Sequence, residues 1–191
     1  MAAKNNTATT VTSTEDKTEV KEKRPTKKKL KLGDDVLIAV KSNVFGKLIY
    51  INHKSGDETQ WTHYGEVQSM TVGDLRAMKA KQLKFFKENW IRIDGIEDAD
   101  EDYEGVELAD IYQVLMVSQY YKDTICPEDI NAVFKWSVSK IKENVPKMTA
   151  SVKTAIIVRA NDMIASGELD SLSKIRAIEE ALSCELLSPN E

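Results

Sequence analysis

Residues 94–110 carry nine acidic side chains and no basic one. This run divides two stretches with different hydrophobic periods, and that division constrains the fold most. Before it, short apolar runs alternate with turn residues. After it, apolar residues recur at i, i+3 and i+4. Strand signals followed by helix signals, rather than interleaved with them, predict an α+β chain.

In the first stretch Val36-Leu37-Ile38-Ala39-Val40 is bounded by Asp34-Asp35 and Ser42-Asn43. Gly46 to Ile51 follows, then a Ser55-Gly56-Asp57 turn, a Glu58–Tyr64 run broken by Gly65, and Glu66–Met70. Strand residues between Gly, Asn, Asp and Ser predict an antiparallel meander. Thr71 is placed to cap a helix, with Asp74 as its partner in a capping box. Leu75, Met78, Leu83, Phe85 and Phe86 supply the apolar positions of that helix, and Trp90-Ile91-Arg92-Ile93 predicts an added edge strand.

Asp98, Asp100 and Asp102 in the acidic run invite a calcium-loop reading. The EF-hand pattern requires glycine at its sixth position and glutamate at its twelfth. The chain has Tyr103 and Ala109 there, so Asp94–Gly105 is expected to be a solvated linker.

Beyond it, Leu108, Ile111, Tyr112, Leu115 and Met116 predict a helix within Val106–Tyr121. Cys126-Pro127-Glu128-Asp129 predicts the start of a second, stopped by Pro146, because proline suits a first helical turn and acids favour the N-terminus. Thr149 is expected to cap a third helix ended by Gly167, and Asp170 or Ser171 a fourth. The last two form either an αα-hairpin or a helix-turn-helix. Glu168, Asp170, Glu179, Glu180 and Glu185 around Lys174 and Arg176 disfavour contact with phosphates. The expected organisation is a basic arm at 1–32, a β-meander plus helix at 33–95, an acidic linker at 96–105 and a helical bundle at 106–191.

The overall charge of −4 conceals a polarity. Residues 1–32 hold nine Lys/Arg and four Asp/Glu, a charge of +5, whereas the other 159 residues hold 18 and 27, a charge of −9. The arm has seven threonines, no aromatic residue and almost no large apolar residue before Leu30, so it is expected not to fold by itself. Its densest part, with Arg24, Lys27, Lys28, Lys29, Leu30 and Lys31, is a candidate partner-binding element, for an acidic protein surface or for nucleic acid. Tyr50, Trp61, Tyr64 and Trp90 are the other candidate partner-binding residues, because a small meander with one helix offers too little core to hide them.

No nucleophile elbow, P-loop, dinucleotide fingerprint, HExxH or zinc-finger spacing is present. His53, His63, Cys126 and Cys184 have no ligand spacing, so neither metal nor cofactor is expected. No run approaches the roughly 18 apolar residues of a membrane span, and the polar start lacks a secretory core, so no membrane partner is expected.

The pattern Val40-Lys41-Ser42, Gly46-Lys47-Leu48-Ile49-Tyr50, Trp61, Gly65, Leu75, Met78 and Phe85–Ile91, with Ala165–Ile175 later, resembles small proteins encoded among the virion genes of tailed bacteriophages. It covers residues 36–187. The resemblance implies a non-enzymatic component of the capsid or neck, present in many copies. Its partners would be other virion structural proteins or copies of itself, and it would reside in particles assembled in the host cytoplasm. The rival readings are a nucleic-acid-binding or packaging-associated protein that uses the arm, and an adaptor that docks a partner helix.

Overall fold

A computed structural model describes residues 30–97, 103 and 105–186. The chain is α+β; among the described residues five antiparallel strands come first and most of the helix follows them. Strand β1 (Leu37–Ser42) lies at the centre of a three-stranded sheet, between β4 (Val67–Thr71) and β5 (Ile91–Ile96). Strands β2 (Leu48–Ile51) and β3 (Glu58–Trp61) form a separate two-stranded hairpin. The strands thus do not form the expected simple meander. The first strand instead takes the middle of the sheet, and the expected edge is supplied by Ile91–Ile96, which runs into the segment expected to be linker.

Two neighbours cover the apolar side of the sheet. One is α1 (Val72–Lys81) with the short α2 (Lys84–Lys87). Thr71 caps α1 as its sequence predicts: its hydroxyl accepts from the Asp74 amide at 3.0 Å, and Asp74 accepts from the Thr71 amide. The other neighbour is α3 (Leu108–Val114) with the residues just after it: Ile111 and Tyr112 of the helix, and Leu115 and Val117 beyond it, are buried in the same core as Ile38, Val40, Trp61 and Phe86. The segment after residue 105 therefore belongs with the sheet and not, as expected, with the helices that follow. The candidate calcium residues Asp98, Asp100 and Asp102 lie outside the described residues.

The expected helix at Val106–Tyr121 is cut short. Met116 takes a left-handed backbone (φ 55°), and the amides of Met116 and Val117 return to the carbonyls of Gln113 and Tyr112. These are the paired bonds of a Schellman closure, which ends the helix after Val114. The second predicted helix also differs. Pro127 does not open it; α4 spans Asn131–Lys135, with the Asp129 carboxylate accepting the Asn131 amide at 2.8 Å. Ser137 then caps a separate α5 (Val138–Asn144), and Pro146 sits in a 3-10 turn.

Helices α6 (Ala150–Ala165) and α7 (Leu172–Leu182) follow with the expected start after Thr149, the stop at Gly167 and a start after Ser171. Val133, Phe134, Ile141, Val152, Ile156, Ile175 and Ile178 form a second core. Lys174 donates to the Phe134 carbonyl at 2.8 Å, which ties the first turn of α7 to α4.

A polar seam joins the two cores. Asn89 sits at its centre, fully buried and in a left-handed conformation (φ 52°) that ends α2. Its side-chain amide donates to the Tyr120 carbonyl at 2.8 Å, and its amide oxygen accepts from the Thr149 hydroxyl at 3.1 Å. Its backbone carbonyl accepts from Asn43 Nδ2 at 2.9 Å. Ser151 donates to the Glu88 carbonyl at 2.6 Å.

Candidate interaction surface

The sequence-predicted residues do not converge. Arg24, Lys27, Lys28 and Lys29 lie outside the described residues. Leu30 is half-buried against the sheet core and Lys31 is exposed. Tyr50 and Trp61 correct the expectation of exposed aromatics, because both are buried. The Trp61 indole donates to the Val40 carbonyl at 2.9 Å, beside a bulge where Asp94 interrupts the β1–β5 register. Tyr50 packs edge-on to Phe85 with ring centres 5.6 Å apart, and Phe85 packs likewise on the half-buried Trp90. Helix α3 enlarges the core, so these rings have more cover than residues 33–95 alone supply. Of the four predicted aromatics, Tyr64 comes nearest to a surface role. It is half-buried and stacks at 4.4 Å on Phe45, which is 41% exposed.

Other large apolar side chains lie outside both cores. On β2, Leu48 and Tyr50 point inward while Ile49 and Ile51 point outward. Gln82 donates to the Ile51 carbonyl at 3.1 Å, which brings the exposed Leu83 to the same region. Met116 is 64% exposed at its left-handed position.

A groove runs between α3, the outer edge of β5 and the loop at 121–129. Its main chamber has a volume of about 420 Å³, with Arg92, Tyr112, Tyr121, Asp123, Cys126 and Glu128 among its walls. A second chamber of about 410 Å³ shares Tyr112 and Tyr121 and adds Gln113 and Ser118. The two tyrosines stack at 4.1 Å. Each also satisfies the strand edge: the Tyr112 hydroxyl accepts from the Ile93 amide at 2.9 Å, and the Tyr121 hydroxyl donates to the Ile91 carbonyl at 2.7 Å. Burial pushes Tyr112 up to about 12 and Tyr121 well above its ordinary value. Burial likewise raises the Cys126 thiol, which disfavours the thiolate that a nucleophile needs.

Sequence reasoning missed the two tyrosines, because their partners are backbone groups 19 and 30 residues away. The Tyr112→Phe variant is expected to lose about 1–3 kcal/mol, since it leaves a buried Ile93 amide without an acceptor. Urea unfolding monitored by circular dichroism checks this; an unchanged midpoint refutes the role of the hydroxyl.

The histidines lie apart. His53 contacts the Gln82 amide at 2.9 Å, and His63 lies 3.3 Å from Glu66. Hydrogen bonds from the Thr62 hydroxyl and amide, Gln68 and the His63 amide hold the Glu66 carboxyl down at about 2. Among the described residues, no three His, Cys, Asp or Glu side chains form a group suited to a metal ion. None of the described helices is long and apolar enough to cross a membrane. No family model matches the chain, and neither a curated protein nor a solved structure is significantly similar to it.

Proposed function

We propose that the protein is a non-enzymatic structural component of a tailed-phage particle, which binds neighbouring virion subunits through its exposed apolar surface and basic arm. The observation that carries this reading is the outward pair Ile49 and Ile51 on β2, with the exposed Leu83 next to Gln82, which bonds the Ile51 carbonyl. Apolar surface grouped in this way marks an interaction face. The kind of partner follows from the resemblance in residues 36–187, and the +5 arm adds a second, electrostatic contact.

Mass spectrometry of purified particles, combined with cross-linking, tests the proposal. The protein is expected in the particles, cross-linked to a structural subunit. The Ile49→Lys, Ile51→Lys double variant, at unchanged melting temperature, is expected to be depleted at least tenfold, as loss of two buried anchors implies. Absence of the protein, or undiminished incorporation of the variant, overturns the reading.

The charge of the arm favours a second reading, binding to nucleic acid. Phosphate contacts would make affinity fall steeply with salt, whereas apolar docking on protein would not.

A further inference from the structure

We infer that the free edge of β4 pairs with the same edge of a second copy of the chain, antiparallel and two-fold, through the backbone groups of Val67 and Ser69.

The hydrogen-bond parity of the sheet leaves that edge open. The Ser42 amide donates to the Glu66 carbonyl at 2.8 Å, and the Val72 amide donates to the Val36 carbonyl at 2.9 Å. The β1–β4 register is unbroken between these two pairs, so Gln68 and Met70 also turn their backbone groups to β1. Val67, Ser69 and Thr71 turn theirs outward. The Thr71 amide is taken by the Asp74 carboxylate at 3.3 Å. The outward groups of Val67 and Ser69 have no hydrogen-bond partner among the described residues, and both residues are exposed. The β2–β3 hairpin does not join this sheet. At the opposite edge, on β5, tyrosine hydroxyls occupy the Ile91 carbonyl and the Ile93 amide. One edge is thus sealed and the other is left able to take a strand.

Symmetry and charge favour a second copy as the occupant. A two-fold axis at Gln68 sets Val67 opposite Ser69 of the second copy, and the reverse. Each pair then exchanges amide and carbonyl as a hydrogen-bonded antiparallel pair does. The run Val67–Gly73 carries no charge, so no like charges are opposed along the seam. The solvent face adds attraction. Lys41 lies beside Val67 in register, and the Glu97 carboxylate is held on the Ser69 hydroxyl at 2.7 Å. The two-fold register sets Ser69 of the second copy, with its Glu97 carboxylate, two strand spacings or about 10 Å from the Lys41 backbone on the same face. Lys41 meets Asp94 at 2.5 Å, and an ammonium with three donors can serve a second carboxylate. The two three-stranded sheets become one, with a sealed β5 at each end, so growth stops at the dimer. The inference stands whether or not the protein belongs to a particle.

The test uses the full chain. A strand of 5 residues makes a small interface, of the weak class below about 1,200 Å². The protein is therefore expected to be a monomer at about 20 µM and mostly a dimer at about 1 mM, as read by sedimentation. Amide exchange followed by NMR reads the seam itself. The Val67 and Ser69 amides are expected to exchange about threefold more slowly at the higher concentration, because only the monomer leaves them open. The Gln68 and Met70 amides, already in the β1 ladder, are expected not to change. Ser69→Pro removes an outward donor without touching that ladder, and Val67→Glu sets a carboxylate beside Glu97 of the second copy. Each variant is expected to stay monomeric at about 1 mM, with its melting temperature held within a few degrees. Should proline unfold the strand, Val67→Glu decides. A monomer at both concentrations overturns the inference. So does a dimer that Val67→Glu leaves intact, or one in which Val67 and Ser69 still exchange fast, which would place the contact elsewhere, as at Ile49 and Ile51. Slow exchange of both amides at both concentrations would assign the edge to another segment of the same chain and overturn it too.

Discussion

A fragment of residues 30–97 is expected to remain largely unfolded, while residues 30–122 fold cooperatively. The shorter fragment has every strand and both helices on the sheet. It lacks Ile111, Tyr112, Leu115 and Val117, which are buried in the sheet core. At about 1.5–3 kcal/mol for each buried side chain, the loss is about 6–12 kcal/mol. A small domain is stable by only about 5–15 kcal/mol in total, so the loss takes most or all of it. The edge of β5 also loses its partners, Tyr112 for the Ile93 amide and Tyr121 for the Ile91 carbonyl. Circular dichroism with urea titration separates the two fragments. A sigmoidal transition in 30–97 equal to that in 30–122 would show that α3 is an ornament of the sheet rather than part of its core.

The Asn89→Ala variant is expected to lose about 3 kcal/mol. Alanine at φ 52° carries about 1–2 kcal/mol of left-handed strain. Removal of the amide also leaves the buried Tyr120 carbonyl without its donor and the Thr149 hydroxyl without its acceptor. Asn89→Gly loses the same hydrogen bonds but escapes the strain, so it is expected to be about 1 kcal/mol less harmful than alanine. Thr149→Val tests the seam separately: its cost is expected to shrink in the Asn89→Ala background, because the two residues share one bond. Equal costs for alanine and glycine, or strict additivity with Thr149→Val, would contradict this account of Asn89.

The parts of the fold legible in sequence are those decided within a few residues. Thr71 and Asp74 cap each other across three positions, Gly167 ends α6 with its own backbone, and the apolar alternation of Ile91 and Ile93 marks a strand. What was not legible depends on distant chain. Nothing local tells β1 to lie between β4 and β5 rather than pair with β2. Pro127 suits a helix start, yet the carboxylate of Asp129 takes the Asn131 amide and delays the helix to Asn131. Aromatic count was a poor guide to the candidate surface for the same reason. Tyr50 and Trp61 look excessive for a core built from residues 33–95, and become ordinary once α3 is added. The apolar residues that do face outward, Ile49, Ile51 and Met116, look in sequence like members of the core.

The tyrosine plug on β5 has a consequence during synthesis. A bare strand edge is a template onto which other extended chains can stack. Here the strand is complete at Ile96, but its stoppers come from Tyr112 and Tyr121. At about 5–20 residues per second, roughly one to six seconds separate translation of Ile93 from translation of Tyr121. In that interval the apolar segment that will become β5 is unpaired, and several ribosomes on one message would present such segments side by side. The acidic run at 94–110 is made within the same interval, so each unfinished edge is followed by a stretch of like charge that repels its neighbours on the polysome.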